Sequence, residues 1–226
     1  MAHQSVAKNS QTPSLNRFFE QFTPFALKAD DILITSHTVT PQVFYLTSGI
    51  VKQIATTQKG QDLTLNLFKP GSFFPLMNGL LDVPNSYAFV CVTECVGFKA
   101  PLSKVKEYLQ SDPMVAYSVM LRLLSGLHGM LQKTEKLMQG DALSLLIQTL
   151  LTLGERFPDS DNESTIKITL THQQLAELTG LSRETVTREL SHLRQEKLIE
   201  ISQHRIRLLD MEALRSKVSS SEALLY

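Results

Sequence analysis

Hydrophobic residues alternate with polar ones in the first half of the chain and step by three and four in the second. The alternation is plainest at Leu63-x-Leu65-x-Leu67, the pattern of a half-buried strand. Val43-Phe-Tyr-Leu46 is an apolar run closed by Ser48-Gly49, and Tyr87 to Phe98 forms a further strand region. Lys59-Gly60 and Pro70-Gly71 are turn punctuation. Residues 31–101 therefore read as β. Short strands with glycine turns at roughly ten-residue spacing predict a sandwich or roll.

The period then changes. A long helix is predicted from about Asp112-Pro113 to Gln139, with Pro113 suited to a first helical position. Tyr117, Met120, Leu124, Leu127, Leu131, Thr134 and Met138 step alternately by three and four, the spacing of a coiled-coil seam. A second stripe of Val119, Leu123, Met130 and Leu137 lies beside it. Two stripes on one helix predict an internal face and a partner face. Gly126 and Gly129 interrupt the helix at about 1 kcal/mol each relative to Ala. Either close backbone approach, room for a ligand, or simple tolerance accounts for them. Gly140-Asp141 breaks this helix and caps the next, Ala142 to Gly154, forming a hinge.

Thr171 to Leu190 has the shape of a helix-turn-helix. Thr171 can cap a helix, with Gln174 closing a capping box. Leu175, Ala176 and Leu178 are expected to face inward, and Gly180 sits where the turn needs a positive φ. Ser182 can cap the second helix, whose inner face carries Val186 and Leu190 at i, i+4 spacing. Arg183, Glu184, Thr187 and Arg188 remain near its exposed N-terminal end. In this motif those positions reach base edges in the major groove.

Ser182-Arg-Glu-Thr-Val-Thr-Arg188 resembles the recognition-helix signature of the cyclic AMP receptor/fumarate-nitrate regulator (CRP/FNR) family, and the resemblance extends from about Phe18 to Leu209. It implies an α+β fold: an N-terminal cyclic-nucleotide-binding-type β-roll, a long dimerisation helix and a C-terminal winged helix-turn-helix. The implied division is a flexible arm over residues 1–17, a β-roll sensor domain over 18–111 and the dimerisation helix over 112–140. The DNA-binding domain follows over 141–215 and a flexible tail over 216–226. Leu198-Ile-Glu-Ile201 and Ile206-Arg-Leu-Leu209 read as the strands of the wing, with Gln203 and His204 in its turn. The resemblance implies a cytoplasmic transcription regulator acting as a homodimer through Tyr117, Met120, Leu124, Leu127, Leu131, Thr134 and Met138. Its partners are double-stranded DNA, at inverted repeats resembling TGTGA, and RNA polymerase. The implied DNA-contacting residues are Thr171, His172, Ser182, Arg183, Glu184, Thr187, Arg188 and Arg205.

The cyclic-nucleotide branch of that family needs a tight Gly, a Glu for the ribose hydroxyl and an Arg for the phosphate. In Gly71 to Ser86 those positions hold Pro75, Leu76 and Asn85, and the base-contacting Thr-Ser pair falls at Met130-Leu131. No side chain at these positions neutralises a phosphate, so no cyclic AMP cofactor is expected. Phe74, Leu76, Met77, Leu127, Met130 and Leu131 are the candidate lining of an apolar effector pocket, which suits a lipophilic ligand. A closed core is the alternative. A ligand-conditioned sensor dimer, for a lipophilic molecule or haem, is the second functional class. His37 and His128 are the sensor-domain histidines outside the arm.

Composition adds limits. With 226 residues, 42% hydrophobic and 19% charged, two packed small domains are expected. Net charge is zero, and from Asp141 onward three Lys and seven Arg face four Asp and nine Glu. DNA affinity must therefore come from a local basic patch of Arg183, Arg188, Arg194, Lys197, Arg205 and Arg207. Two cysteines are too few for an iron–sulfur cluster and fit a reducing compartment. On one strand Cys91 and Cys95 would stand about 13 Å apart, too far for a disulfide, as small core hydrophobes. No metal site, no signal peptide and no membrane-spanning apolar run is expected. The chain has no Gly-rich phosphate loop, HExxH or GxSxG, so no enzymatic activity is expected.

Overall fold

A computed structural model describes residues 12–57, 60, 62–139, 141–158, 166, 170–202 and 205–223. The chain divides into two units, Met1–Gln61 with Leu65–Gly126, and Asp62–Thr64 with Leu127–Tyr226.

The first unit carries two antiparallel four-stranded sheets. One contains β1 (Thr23–Leu27), β8 (Cys95–Pro101), β3 (Gln42–Ser48) and β6 (Phe73–Phe74) in that order. The other contains β2 (Ile32–Ile34), β7 (Ala88–Cys91), β4 (Val51–Thr56) and β5 (Asp62–Phe68). Val43-Phe-Tyr-Leu46 is unbroken because β3 is covered on both faces. Side chains alternate across a strand. Val43 and Tyr45 enter one core with Leu15, Phe19, Leu76 and Val105, while Leu46 enters another with Phe74, Phe89, Cys91 and Cys95. The rings of Phe74 and Phe89 stack at 5.2 Å in the second core, and those of Phe19 and Tyr45 at 4.8 Å in the first.

Three helices complete the first core. They are α1 (Thr12–Phe19), α3 (Leu102–Ser111) and the start of α4 (Pro113–Gln139). A one-turn helix, α2 (Leu76–Leu81), follows β6. Helix α1 corrects the expectation of a loose arm over residues 1–17: Leu15 and Phe19 are buried, and Phe18 stacks on Tyr108 at 4.1 Å. Residues 1–11 lie outside the described part, as do Lys59 of the expected turn and Gly140 of the expected hinge. The residues that tie α1 down, Leu15 and Phe18, meet Val105 and Tyr108 some ninety residues on.

Helix α4 occupies the interval its 3/4 spacing predicts. Its inner face is narrower than the second stripe implied. Val115 and Val119 are buried, whereas Leu123 and Met130 are exposed and the side chain of Leu137 lies outside the described residues. Arg122 takes the next inward place, donating to the Gly71 carbonyl at 3.0 Å with its guanidinium 5.7 Å from the Phe73 ring centre. Tyr117, Met120, Leu124, Leu127, Leu131 and Met138 are half to mostly exposed, and Thr134 is exposed. The expectation of no membrane-length apolar run needs correction. Pro113–Gln132 is long and apolar enough by length and composition, with mean hydropathy 1.3. Scattered Ser, Arg and His along the helix hide this from a search for an unbroken run.

The cysteine geometry is also corrected. Tyr87 to Phe98 is two strands, not one. The chain leaves the second sheet at Cys91 and joins the first at Cys95, and both thiols lie in the same core. Burial, with the neighbouring Cys95 thiol, pushes the Cys91 thiol up to about 12.

In the second unit, α5 (Ala142–Arg156) is capped by Asp141, which accepts from Ser144 N at 2.9 Å, and buries Leu145, Leu146, Ile147 and Leu150. Then come α6 (His172–Thr179), α7 (Arg183–Gln195), the hairpin β9 (Ile199–Ser202) with β10 (Arg205–Leu208), and α8 (Met211–Ala223). Helix α8 buries Leu214 and continues to Ala223, past the expected start of a flexible tail at residue 216, with Lys217 paired to Glu196; residues 224–226 lie outside the described part.

Candidate nucleic-acid interface

Local chemistry builds the helix-turn-helix. The Thr171 hydroxyl accepts from Gln174 N at 3.1 Å, and Gln174 Oε1 accepts from Thr171 N at 2.9 Å. This reciprocal box satisfies two backbone donors that a helix start leaves unpaired. Helix α6 ends at Gly180, with φ of 79° and its N–H donated to Ala176 O. That left-handed conformation suits a residue without Cβ. Ser182 then caps α7, accepting from Thr185 N at 3.1 Å. Each such cap stabilises its helix by about 1 kcal/mol.

Val186, Leu190 and Leu193 of α7 are buried with Leu175 and Ala176 of α6. Leu178 is only half-buried, and Thr179 takes the fully buried place expected for it. Its hydroxyl donates to Leu175 O at 2.7 Å, which satisfies the group inside the core.

The opposite face of α7 carries the expected residues. Ser182, Arg183, Glu184, Thr187 and Arg188 are all exposed at its N-terminal half. Hydrogen bonds from its own backbone N–H and from Ser182, with the Arg183 charge, hold the Glu184 carboxyl below its ordinary range. Glu184 is thus an ionised acceptor. Arg188 does not project freely: Nε and Nη2 lie 2.9 and 2.8 Å from one Glu189 oxygen. His172, on α6, reaches Thr187 with Nδ1 2.8 Å from Oγ1. Spacing did not announce Glu189 or this pair. Neighbours i, i+1 on a helix do not ordinarily face each other, and a contact between helices has no sequence period.

The hairpin pairs Arg205 with Ser202 and Leu208 with Ile199, one residue off each predicted strand at its edge. Its turn, Gln203 and His204, lies outside the described residues. Arg205 and Arg207 are exposed on β10, and Arg207 stands 3.9 Å from Glu200. Ile166 N donates to Ile206 O at 3.0 Å, adding a bridge beside the hairpin.

Of the candidate effector residues, Phe74 on β6 and Leu76 at the start of α2 belong to different cores, Met77 is half-exposed, and Leu127, Met130 and Leu131 are exposed. A small apolar cavity of about 10 Å³ near Leu76 is bounded by α1, α3 and Phe73, at the lower limit for one water. Asn85 is buried and tied to backbone: its amide donates to Tyr87 O and Thr35 O, and its Oδ1 accepts from Tyr87 N. His37 and His128 are exposed, and no cluster of three metal-ligating side chains occurs among the described residues. An added Cβ at Gly126 or Gly129 meets nothing within 4 Å, so close approach within the chain does not require either glycine.

A capped helix-turn-helix with a two-stranded wing, following a cyclic-nucleotide-type β-roll and a long helix, defines a DNA-binding transcription regulator. Comparison with known proteins agrees. Residues 24–112 match the cyclic nucleotide-binding domain, and residues 146–217 the Crp-like helix-turn-helix domain. The global nitrogen regulator of Synechococcus elongatus is 32% identical over 186 residues, covering 79% of this chain and 82% of that protein. The transcriptional regulator SdrP of Thermus thermophilus is 26% identical over 197 residues, covering 86% and 94%. In fold, the chain is similar to FixK2 of Bradyrhizobium japonicum, with a TM-score of 0.73 at 19% identity over 86% of this chain and 96% of that one. The chain belongs to the CRP/FNR family of transcription regulators.

Proposed function

We propose that this protein is a homodimeric regulator that binds an inverted-repeat, TGTGA-like DNA site and acts without a cyclic nucleotide. The observation that carries the dimer is α4. Its seam from Tyr117 to Met138 leaves Leu124 52% and Leu131 60% exposed on an apolar helix. Two copies of a 3/4 seam bury one another in a coiled coil. Dimerisation then sets two recognition helices on two half-sites, as the symmetry of an inverted repeat requires. It also gives the apolar Pro113–Gln132 a place in water.

The cyclic-nucleotide positions support control by something else, or constitutive activity. Leu76 is sealed in a hydrophobic core and Asn85 is committed to Thr35 and Tyr87. Neither is placed to receive a sugar or a phosphate. No cofactor is proposed: Leu76 and Phe74 are packed into two different cores, which does not favour a lipophilic-ligand or haem pocket between them. Action on DNA in the cytoplasm, with RNA polymerase as partner and no enzymatic activity, completes the reading. Genome-wide mapping of bound sites tests it. Inverted repeats with TGTGA-like halves, bound by a dimer without additive, are the expected result; half-sites bound singly by monomers would sink it.

A further inference from the structure

The hydroxyl of Thr187 is committed within the protein on two sides. A hydroxyl has one hydrogen and two lone pairs. The hydrogen goes to the Arg183 carbonyl, 2.8 Å away, because a carbonyl only accepts. His172 Nδ1, 2.8 Å from the same oxygen, must therefore bring its own hydrogen. Both the neutral Nδ1–H tautomer and the imidazolium can do so. The bond to Arg183 is the ordinary back-bond of a helical threonine. The bond from His172 comes from another helix, and the two together hold the side chain in one rotamer.

This commitment changes what Thr187 offers to DNA. Its hydroxyl can no longer donate to guanine N7 or O6, or to thymine O4. What Thr187 can still offer is one lone pair and its γ-methyl group, on an exposed residue one turn beyond Arg183 and next to Arg188. In the major groove the 5-methyl of thymine is the base feature that only an apolar contact can read. We propose that Thr187 reads a thymine methyl in each half-site, with His172 as the positioning residue that fixes its rotamer. The proposal rests on the DNA-binding reading above and adds a base-specific role to it.

Thymine-to-deoxyuridine exchange isolates the methyl group without altering base pairing. Full-length protein first selects its sites from random DNA. Each thymine of one half-site is then replaced in turn by deoxyuridine and the affinity measured. One position should weaken binding about fourfold, the equivalent of about 0.8 kcal/mol for one buried methyl-sized group. Thr187→Val, which keeps a methyl, should retain that penalty, and Thr187→Ser, which lacks one, should abolish it. His172→Ala should bring the thymine/uracil ratio toward one with the protein still dimeric and folded, and His172→Asn, which can still donate, should restore it. Equal affinity for thymine and uracil at every position overturns the proposal. So does a penalty kept by Thr187→Ser, which would show that another residue touches the thymine methyl. An unchanged ratio in His172→Ala removes the positioning role and with it the proposal as stated. If no sequence is enriched from random DNA, the DNA-binding reading itself fails; if one is enriched and methyl-blind, only this inference fails.

Discussion

The Arg188 guanidinium rests on the carboxylate of its neighbour Glu189, with two of its nitrogens 2.9 and 2.8 Å from one oxygen. Arg188 is 70% exposed and Glu189 13%, so the guanidinium faces solvent while the carboxylate is mostly covered. An exposed pair of this kind contributes about 0–1 kcal/mol to stability. To contact guanine O6 and N7, the arginine must leave Glu189. Arg188→Ala is expected to cost about 1–3 kcal/mol of DNA affinity and relax preference at one base pair. Glu189→Gln removes the competing charge and should tighten binding with the preference unchanged. Quantitative gel-shift titrations against single-substitution operators read both. Unaltered preference in Arg188→Ala would show that another residue reads that pair.

Introducing a charge into the α4 seam tests the dimer. Leu124→Glu or Leu131→Glu places a carboxylate where two helices are expected to exclude water, and burying it unpaired is costly. Either variant should sediment as a monomer and lose tight operator binding, with circular dichroism unchanged. Wild-type protein that remains monomeric at micromolar concentration contradicts the assignment.

Cyclic nucleotides should not control the protein. A ligand shifts an equilibrium only through differential affinity for two states. Desolvating a phosphate beside Leu76 and the committed Asn85 should cost several kcal/mol. Titration calorimetry with cyclic AMP and cyclic GMP is expected to give no isotherm below millimolar concentration. A micromolar, stoichiometric isotherm would require Asn85 to release Thr35 and Tyr87.

The buried cysteine pair predicts a pH response on the alkaline side. The folded Cys91 thiol is pushed up to about 12, well above its unfolded value near 9. Between these values the unfolded chain has lost a proton that the folded chain keeps. Stability therefore falls as pH rises from about 9 toward 12. Below the unfolded value this contribution is fully present. Cys91→Ala should flatten that limb of a denaturation series taken across pH. In the native protein at pH 8, iodoacetamide should spare Cys91, which is fully buried and protonated. Rapid alkylation at that pH would mean that the end of β7 opens far more readily than its packing implies.

Much of the second unit is written in short-range chemistry. Thr171 with Gln174, Gly180, and Ser182 with Thr185 act over three residues or fewer, and local propensity and capping are legible at that distance. The 3/4 stepping that marks α4 is likewise a property of one segment. By contrast, α1 and α8 look loose in sequence because neither has a strong apolar signature of its own. Leu15, Phe19 and Leu214 become structural only through partners far away in the chain. Leu178 and Thr179 exchanged roles for a related reason. A buried hydroxyl is acceptable once it finds Leu175 O, which no hydropathy pattern registers.

What the sequence alone determined was the family, the order of elements and the face of α7 that carries Arg183, Glu184, Thr187 and Arg188. Periodicity and capping act within one element, so reading along the chain recovers them. Tertiary structure decided how those side chains are held. It set His172 on Thr187, drew Arg188 back to Glu189, brought Cys91 beside Cys95 across a change of sheet, and locked Asn85 to two backbone segments. Contacts between elements depend on where the whole chain packs, and rotamers depend on which partners that packing supplies. Neither carries a period that spacing could reveal.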